Sequence, residues 1–161
     1  PALRRAVALP PNAAQPRYAL GSTLLRLGKT DEAKSQLAEF QRLRAAALDE
    51  QRRTFEIESL VHEANLHSNA GRHEQAVAVW RTIVERDGRR ADRLAGLGGA
   101  LVRNGQLDEA ARSLEEAIAL GADADVYRQL AGVYTMLGRA DDSARALAIY
   151  RQRRQSQEQG R

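Results

Sequence analysis

The chain has 161 residues and a mass of 17.8 kDa, enough for one domain or one array of small units, and it lacks cysteine, which excludes disulfides, thiolate metal sites and cysteine nucleophiles. Its net charge of +4 resides in the tail: Arg145, Arg151, Arg153, Arg154 and Arg161 stand against Glu158, while residues 1–144 hold 20 basic and 20 acidic side chains. The body is neutral overall, whereas a nucleic-acid binder usually carries a basic face along its body, and no apolar run approaches the ~18 residues of a membrane span.

The opening, PALRRAVALPP, does not read as a signal peptide. From there the hydrophobic period and the glycine punctuation predict helices near 14–28, 31–47, 54–70, 73–87, 91–104, 107–119, 124–137 and 140–154. Four glycines, Gly28, Gly71, Gly105 and Gly138, are spaced by 43, 34 and 33 residues. Five residues after each sits a small side chain: Ala33, Ala76, Ala110 and Ser143. Four further on comes a large apolar one: Leu37, Trp80, Leu114 and Leu147. Seven residues before each glycine lies another small residue: Gly21, Ala64, Gly98 and Ala131. The unit is helix, glycine turn, helix, with small residues where two helices approach closely. The glycines close first helices in a conformation that often needs positive φ, and Asp31, Asp108 and Asp141 meet the free amides of the second helices.

RYALGSTLLRLGKTDEAKSQL, RLAGLGGALVRNGQLDEAARSLEEAIAL and VYRQLAGVYTMLGRADDSARAL resemble the tetratricopeptide repeat, whose period is ~34 residues. The resemblance is strongest at Leu97-Gly98, Gly105, Asp108-Glu109-Ala110 and Ala117. It implies an all-α, right-handed α-solenoid of helix–turn–helix repeats, in which each pair buries its apolar face only by stacking on a neighbour. Repeats are then expected at 14–47, 57–90, 91–123 and 124–154, with an insertion or extended helix at 48–56 and a polar, basic tail at 155–161. Residues 1–13, with AVALPPN and Pro11, look like the truncated end of an upstream repeat. Leu3, Ala6, Val7 and Leu9 would leave that end uncapped, so upstream sequence or self-association through this end is expected.

Two departures stand out. Between Thr30 and Ala70 there is neither glycine nor proline. Either one long rod spans both repeats, or two lengthened helices meet at a helical turn near Asp49–Arg53; the turn is the reading we adopt. Where other first helices have Leu20, Leu97 and Leu130, the second repeat has Glu63, and His67 replaces Leu24, Leu101 and Tyr134. This helix is expected to leave its regular seat, and Glu63 and His67, four apart, are placed to pair.

Catalytic chemistry is not expected. His62 and His67 approximate a zinc-protease motif, but five residues put them about 140° apart around a helix, so they share no metal. Gly96-Leu97-Gly98-Gly99 follows no strand and fails the dinucleotide-loop context; the glycines read as close-packing positions. No Ser/His/Asp set emerges, and no cofactor or metal is expected.

The resemblance implies instead a concave groove lined by the first helices. Residue by residue it would show Tyr18, Ser22, Leu25 and Arg26 from the first repeat, and Val61, Asn65 and Asn69 from the second. The third gives Ala95, Gly99, Val102 and Arg103, and the fourth Arg128, Gly132 and Thr135. Asparagines can clamp a peptide backbone, arginines can fork onto carboxylates, and small residues leave room for bulk. Of the carboxylate clamp in the family's chaperone-binding members only Asn65 is matched, with Tyr18, Ser22, Asp92 and Asp125 at other positions. The expected function is a non-catalytic scaffold for another protein, held as a peptide or helix in the groove or as a subunit at the solenoid ends. The alternatives are the recruiting module of a larger enzyme, and attachment to nucleic acid or membrane through the basic tail. Lys29 and Lys34 are the only lysines, a bias expected of a GC-rich bacterial genome.

Overall fold

A computed structural model describes residues 14–159. Seven helices make up these residues: α1 (Ala14–Arg26), α2 (Thr30–Asn69), α3 (His73–Asp87), α4 (Ala91–Arg103), α5 (Leu107–Ala119), α6 (Ala124–Met136) and α7 (Ala140–Gln159). No strand occurs among them, and the all-α reading holds. The expectation of an uncapped start, on Leu3 to Pro11, falls outside the described residues.

The glycine turns are built alike. Gly28, Gly71, Gly105 and Gly138 all have φ of 72–75°, a region that a Cβ disfavours. At each, the next N–H reaches back to a carbonyl of the ending helix: Lys29 to Leu24, Arg72 to His67, Gln106 to Leu101 and Arg139 to Tyr134. This closure satisfies carbonyls that a helix end otherwise leaves bare. The following helices open with Asp31, Asp108 and Asp141 in their first turns, where carboxylates meet the positive end of the dipole.

Two of the sequence expectations need correction. The turn near Asp49–Arg53 does not form: α2 is continuous over 40 residues. Nothing in this stretch breaks a helix, and helix formers fill it. Local pairs, Arg52 Nη2 to Asp49 Oδ1 at 3.0 Å and Arg53 Nη2 to Glu50 Oε2 at 3.4 Å, sit at the place assigned to the turn. Likewise α7 runs five residues past 154, to Gln159, because no glycine intervenes before Gly160 and Arg154 pairs with Glu158 at 3.7 Å.

The chain divides into two compact units, Pro1–Phe55 and Glu56–Arg161. In the first, α1 lies on the opening turns of α2. Gly21 is buried, and a Cβ there would stand 2.8 Å from Leu37 Cγ. Ala33 is fully buried, and the Tyr18 and Phe40 rings meet at 5.2 Å between centroids.

In the second unit one apolar cluster runs from Ile57 through α3, α4, α5 and α6 to Ala146. The first unit's contact returns in the third repeat: a Cβ on Gly98 would stand 2.7 Å from Leu114 Cγ. In the fourth repeat Ser143 takes the small position, and its hydroxyl donates to the Ala131 carbonyl at 2.9 Å. Ala64, Ala76 and Ala110 are each fully buried. Arg81 of α3 pairs with Glu109 of α5 at 2.9 Å, and Arg89, in the connection after α3, pairs with Glu116 of α5.

Candidate functional site

Within the second unit an open cavity of about 530 Å³ is lined from the final turns of α2 and from α3, α4 and α6. It gathers six of the sequence-predicted residues: Asn65 from α2, Ala95, Gly99, Val102 and Arg103 from α4, and Gly132 from α6. Their convergence follows from spacing. Ala95, Gly99 and Val102 recur at four and three residues on one helix, so they share a face, and stacking sets the matching face of α6 beside it.

The others fall elsewhere. Arg128 lies outside the lining, 3.5 Å from Asp125, and the Thr135 hydroxyl is bound to the Ala131 carbonyl and Ser143. Val61 and Asn69 do not line the cavity. Tyr18, Ser22, Leu25 and Arg26 belong to the first unit, where Tyr18 packs against Phe40 with the rings tilted by 48° and Leu25 is half exposed.

Sequence reasoning missed five lining residues: Trp80, Gly96, Gln129, Val133 and Met136. Trp80 is the most informative. It takes the place held by Leu37 and Leu114, but its larger ring reaches α4, where a Cβ on Gly96 would sit 2.3–2.7 Å from indole carbons. The ring therefore lies flat on the Gly96 backbone and forms one wall. Gly96 is a close-packing position, as its context implied.

Electrostatically the cavity is simple. Arg103 is its only formally charged lining residue. Its Nη1 donates to the Gly99 carbonyl at 3.3 Å, and no carboxylate among the described residues pairs with it. At the other end of α4, Arg93 is held by Asp87 at 2.7 Å and Asp92 at 3.3 Å. Below the cavity, at the α6–α7 junction, the Tyr134 hydroxyl donates to Glu115 at 2.7 Å and Arg139 caps the Tyr134 ring at 4.3 Å. Burial, reinforced by the Glu115 carboxylate, pushes the Tyr134 phenol up to about 12. The pair expected in the second repeat forms, with His67 Nε2 3.7 Å from Glu63 Oε1. Three arginines of the tail are engaged within the chain. Arg145 pairs with Asp142 and Arg154 with Glu158, while Arg153 lies over the Tyr127 ring at 4.8 Å. No group of three metal-ligating side chains occurs among the described residues, and no helix there is long and apolar enough to cross a membrane.

No curated protein matches the sequence. Among solved structures, the chain is similar to MamA 41-end from Desulfovibrio magneticus RS-1, at 17% identity and a TM-score of 0.60 over 91% of this chain and 78% of that one. It is also similar to the type III secretion translocator chaperone SycD of Yersinia enterocolitica, at 22% identity and a TM-score of 0.57 over 60% of this chain and 74% of that one. A third likeness is PcrH in complex with the chaperone binding region of PopB, at 19% identity and a TM-score of 0.56 over 59% and 77%. These likenesses are of fold. Family models for the tetratricopeptide repeat match residues 14–46 and 58–82. The first match spans the Gly21–Leu37 contact that Gly98 and Leu114 reproduce outside either match, and the chain carries tetratricopeptide repeats over the matched residues.

Proposed function

We propose that this chain is a non-catalytic scaffold that binds another protein, and that the cavity of the second unit is where the partner is held. The observation that carries the reading is the cavity itself: an open space of about 530 Å³ between stacked repeats, lined by apolar residues together with Asn65, Gln129 and Arg103. Such a site suits a peptide or a helix that buries side chains between fixed elements and meets Asn65, Gln129 and Arg103 with its polar atoms. The PcrH structure, of similar fold, holds a segment of its partner PopB, which supports the same use here. Val61, Asn69, Arg128 and Thr135 of the second unit belong to this proposal as flanking contacts, while Tyr18, Ser22, Leu25 and Arg26 of the first unit are a separate proposed contact surface. Arg153 lies over the Tyr127 ring, and Arg145 and Arg154 pair at the surface with Asp142 and Glu158, so the tail offers less free positive charge to a nucleic acid or membrane than its composition suggests. Affinity capture from the source organism tests the reading. Wild type and the exposed α5 variant Arg112→Glu should retain the same partner, and Asn65→Arg combined with Arg103→Glu should lose it. Retention by the double variant would move the contact elsewhere.

A further inference from the structure

Gly99 and Gly132 lie inside helices α4 and α6, and neither has positive φ. A glycine there weakens a helix relative to alanine. At Gly96 the reason is Trp80, whose ring occupies the space a Cβ would need. At Gly132 a Cβ would meet nothing within 4 Å, and at Gly99 only Arg103 Nη1 at 3.8 Å. Neither backbone conformation nor internal packing accounts for these two glycines. Both line the cavity, where a missing side chain adds room for a group from outside the chain.

The surroundings define that group. Trp80 and Val133 are buried apolar walls, and Met136 stands 63% exposed at the edge, a flexible thioether that adapts to the shape of what it covers. A small free anion would leave the exposed Met136 side chain uncovered. A nucleic acid would find one cation where it needs many. Arg103, opposed by no carboxylate among the described residues, has most of its guanidinium donors unused.

Resting on the reading of this cavity as a partner site, we propose that it takes one large apolar side chain of a partner polypeptide together with a neighbouring carboxylate. The apolar group lies over Gly99 and Gly132 against Trp80, and the carboxylate, from an Asp or Glu within one helical turn, is forked by Arg103. Apolar burial supplies the attachment and the charge selects which apolar segment is accepted.

Phage-displayed random 16-residue peptides, selected on the full chain, test this. Arg103→Gln and Gly132→Leu serve as variants; both positions are exposed, and an unchanged helical circular dichroism spectrum verifies their folding. Selected peptides should be enriched in Phe, Trp or Leu with Asp or Glu three or four residues away. Exchange of that acid for its amide should weaken binding to the wild type about tenfold and leave binding to Arg103→Gln unaltered. Gly132→Leu should bind none of them. If the amide exchange costs nothing while Gly132→Leu still blocks binding, the carboxylate assignment falls and the cavity stands. Equal binding by all three proteins overturns both. Failure to enrich any peptide overturns the proposal as well.

Discussion

Two glycines that line the cavity, Gly96 on α4 and Gly132 on α6, carry different physical loads. Gly96 has no room for a methyl group beneath the Trp80 ring, whereas Gly132 faces open space. Gly96→Ala should therefore lower stability by about 1–2 kcal/mol, the strain of overpacking exceeding the gain in helix propensity. Gly132→Ala should raise it by about 1 kcal/mol. Thermal melts of the two variants should shift in opposite directions; shifts of the same sign would show that Trp80 does not rest on α4. The pairing was legible in outline. Trp80 stands where other repeats have leucine, and Gly96 stands where they have Ala19, His62 and Gln129, so one repeat's excess volume is matched by the next repeat's deficit. Carrying the family groove over position by position hid this, because Trp80 belongs to a second helix and the groove is assigned to first helices.

Among the elements, the junction of α6 and α7 shows how a polar group is kept in an apolar stack. Tyr134 is buried to 8% exposure, with its hydroxyl on Glu115 and Arg139 over its ring. The phenol of the unfolded chain ionises near 10, and that of the folded chain near 12. The folded state thus holds the proton more tightly. The resulting stability is fully present below pH 10 and is lost as pH rises towards 12. Urea unfolding at pH 9 and pH 11.5 should show a steeper loss for wild type than for Tyr134→Phe; parallel losses would contradict the assignment. The carboxylates of Asp142, held low by Arg145 and Arg139, and of Glu116, held low by Arg89, act in the opposite range. Their contributions are lost as pH falls, and exposure makes them sensitive to salt. Helix α2 shows the limit of motif reading. Repeat spacing argued for a turn at Asp49–Arg53, yet a turn needs a residue that stops the helix. None is present between Thr30 and Ala70, and propensity prevails over analogy.

On the scale of the molecule, the second unit carries its own core, from Ile57 to Ala146. Glu63 stands exposed at the position where the next two repeats bury Leu97 and Leu130. A polar outer face is what a terminal repeat requires. Residues 56–161 alone should therefore keep a helical spectrum and melt cooperatively; a fragment without a cooperative transition would show that the first unit is needed to close the core. The fold was legible from glycine spacing and small-residue positions because these follow from close helix packing. The cavity was legible in part. Residues at equivalent places on α4 and α6 converge, while Arg128 and Thr135 are held by Asp125, Ala131 and Ser143, internal partners that linear spacing does not reveal. Proteins sharing this fold differ in what they bind, so the decisive question is where a partner touches. A photo-crosslinking amino acid placed at Met136, the exposed residue at the cavity's edge, and, separately, at Arg112, with adducts resolved in the source organism, answers it directly. A discrete partner adduct from position 136 and none from position 112 is the predicted result. Adducts from 112 alone, or equal yields from both, would contradict the account.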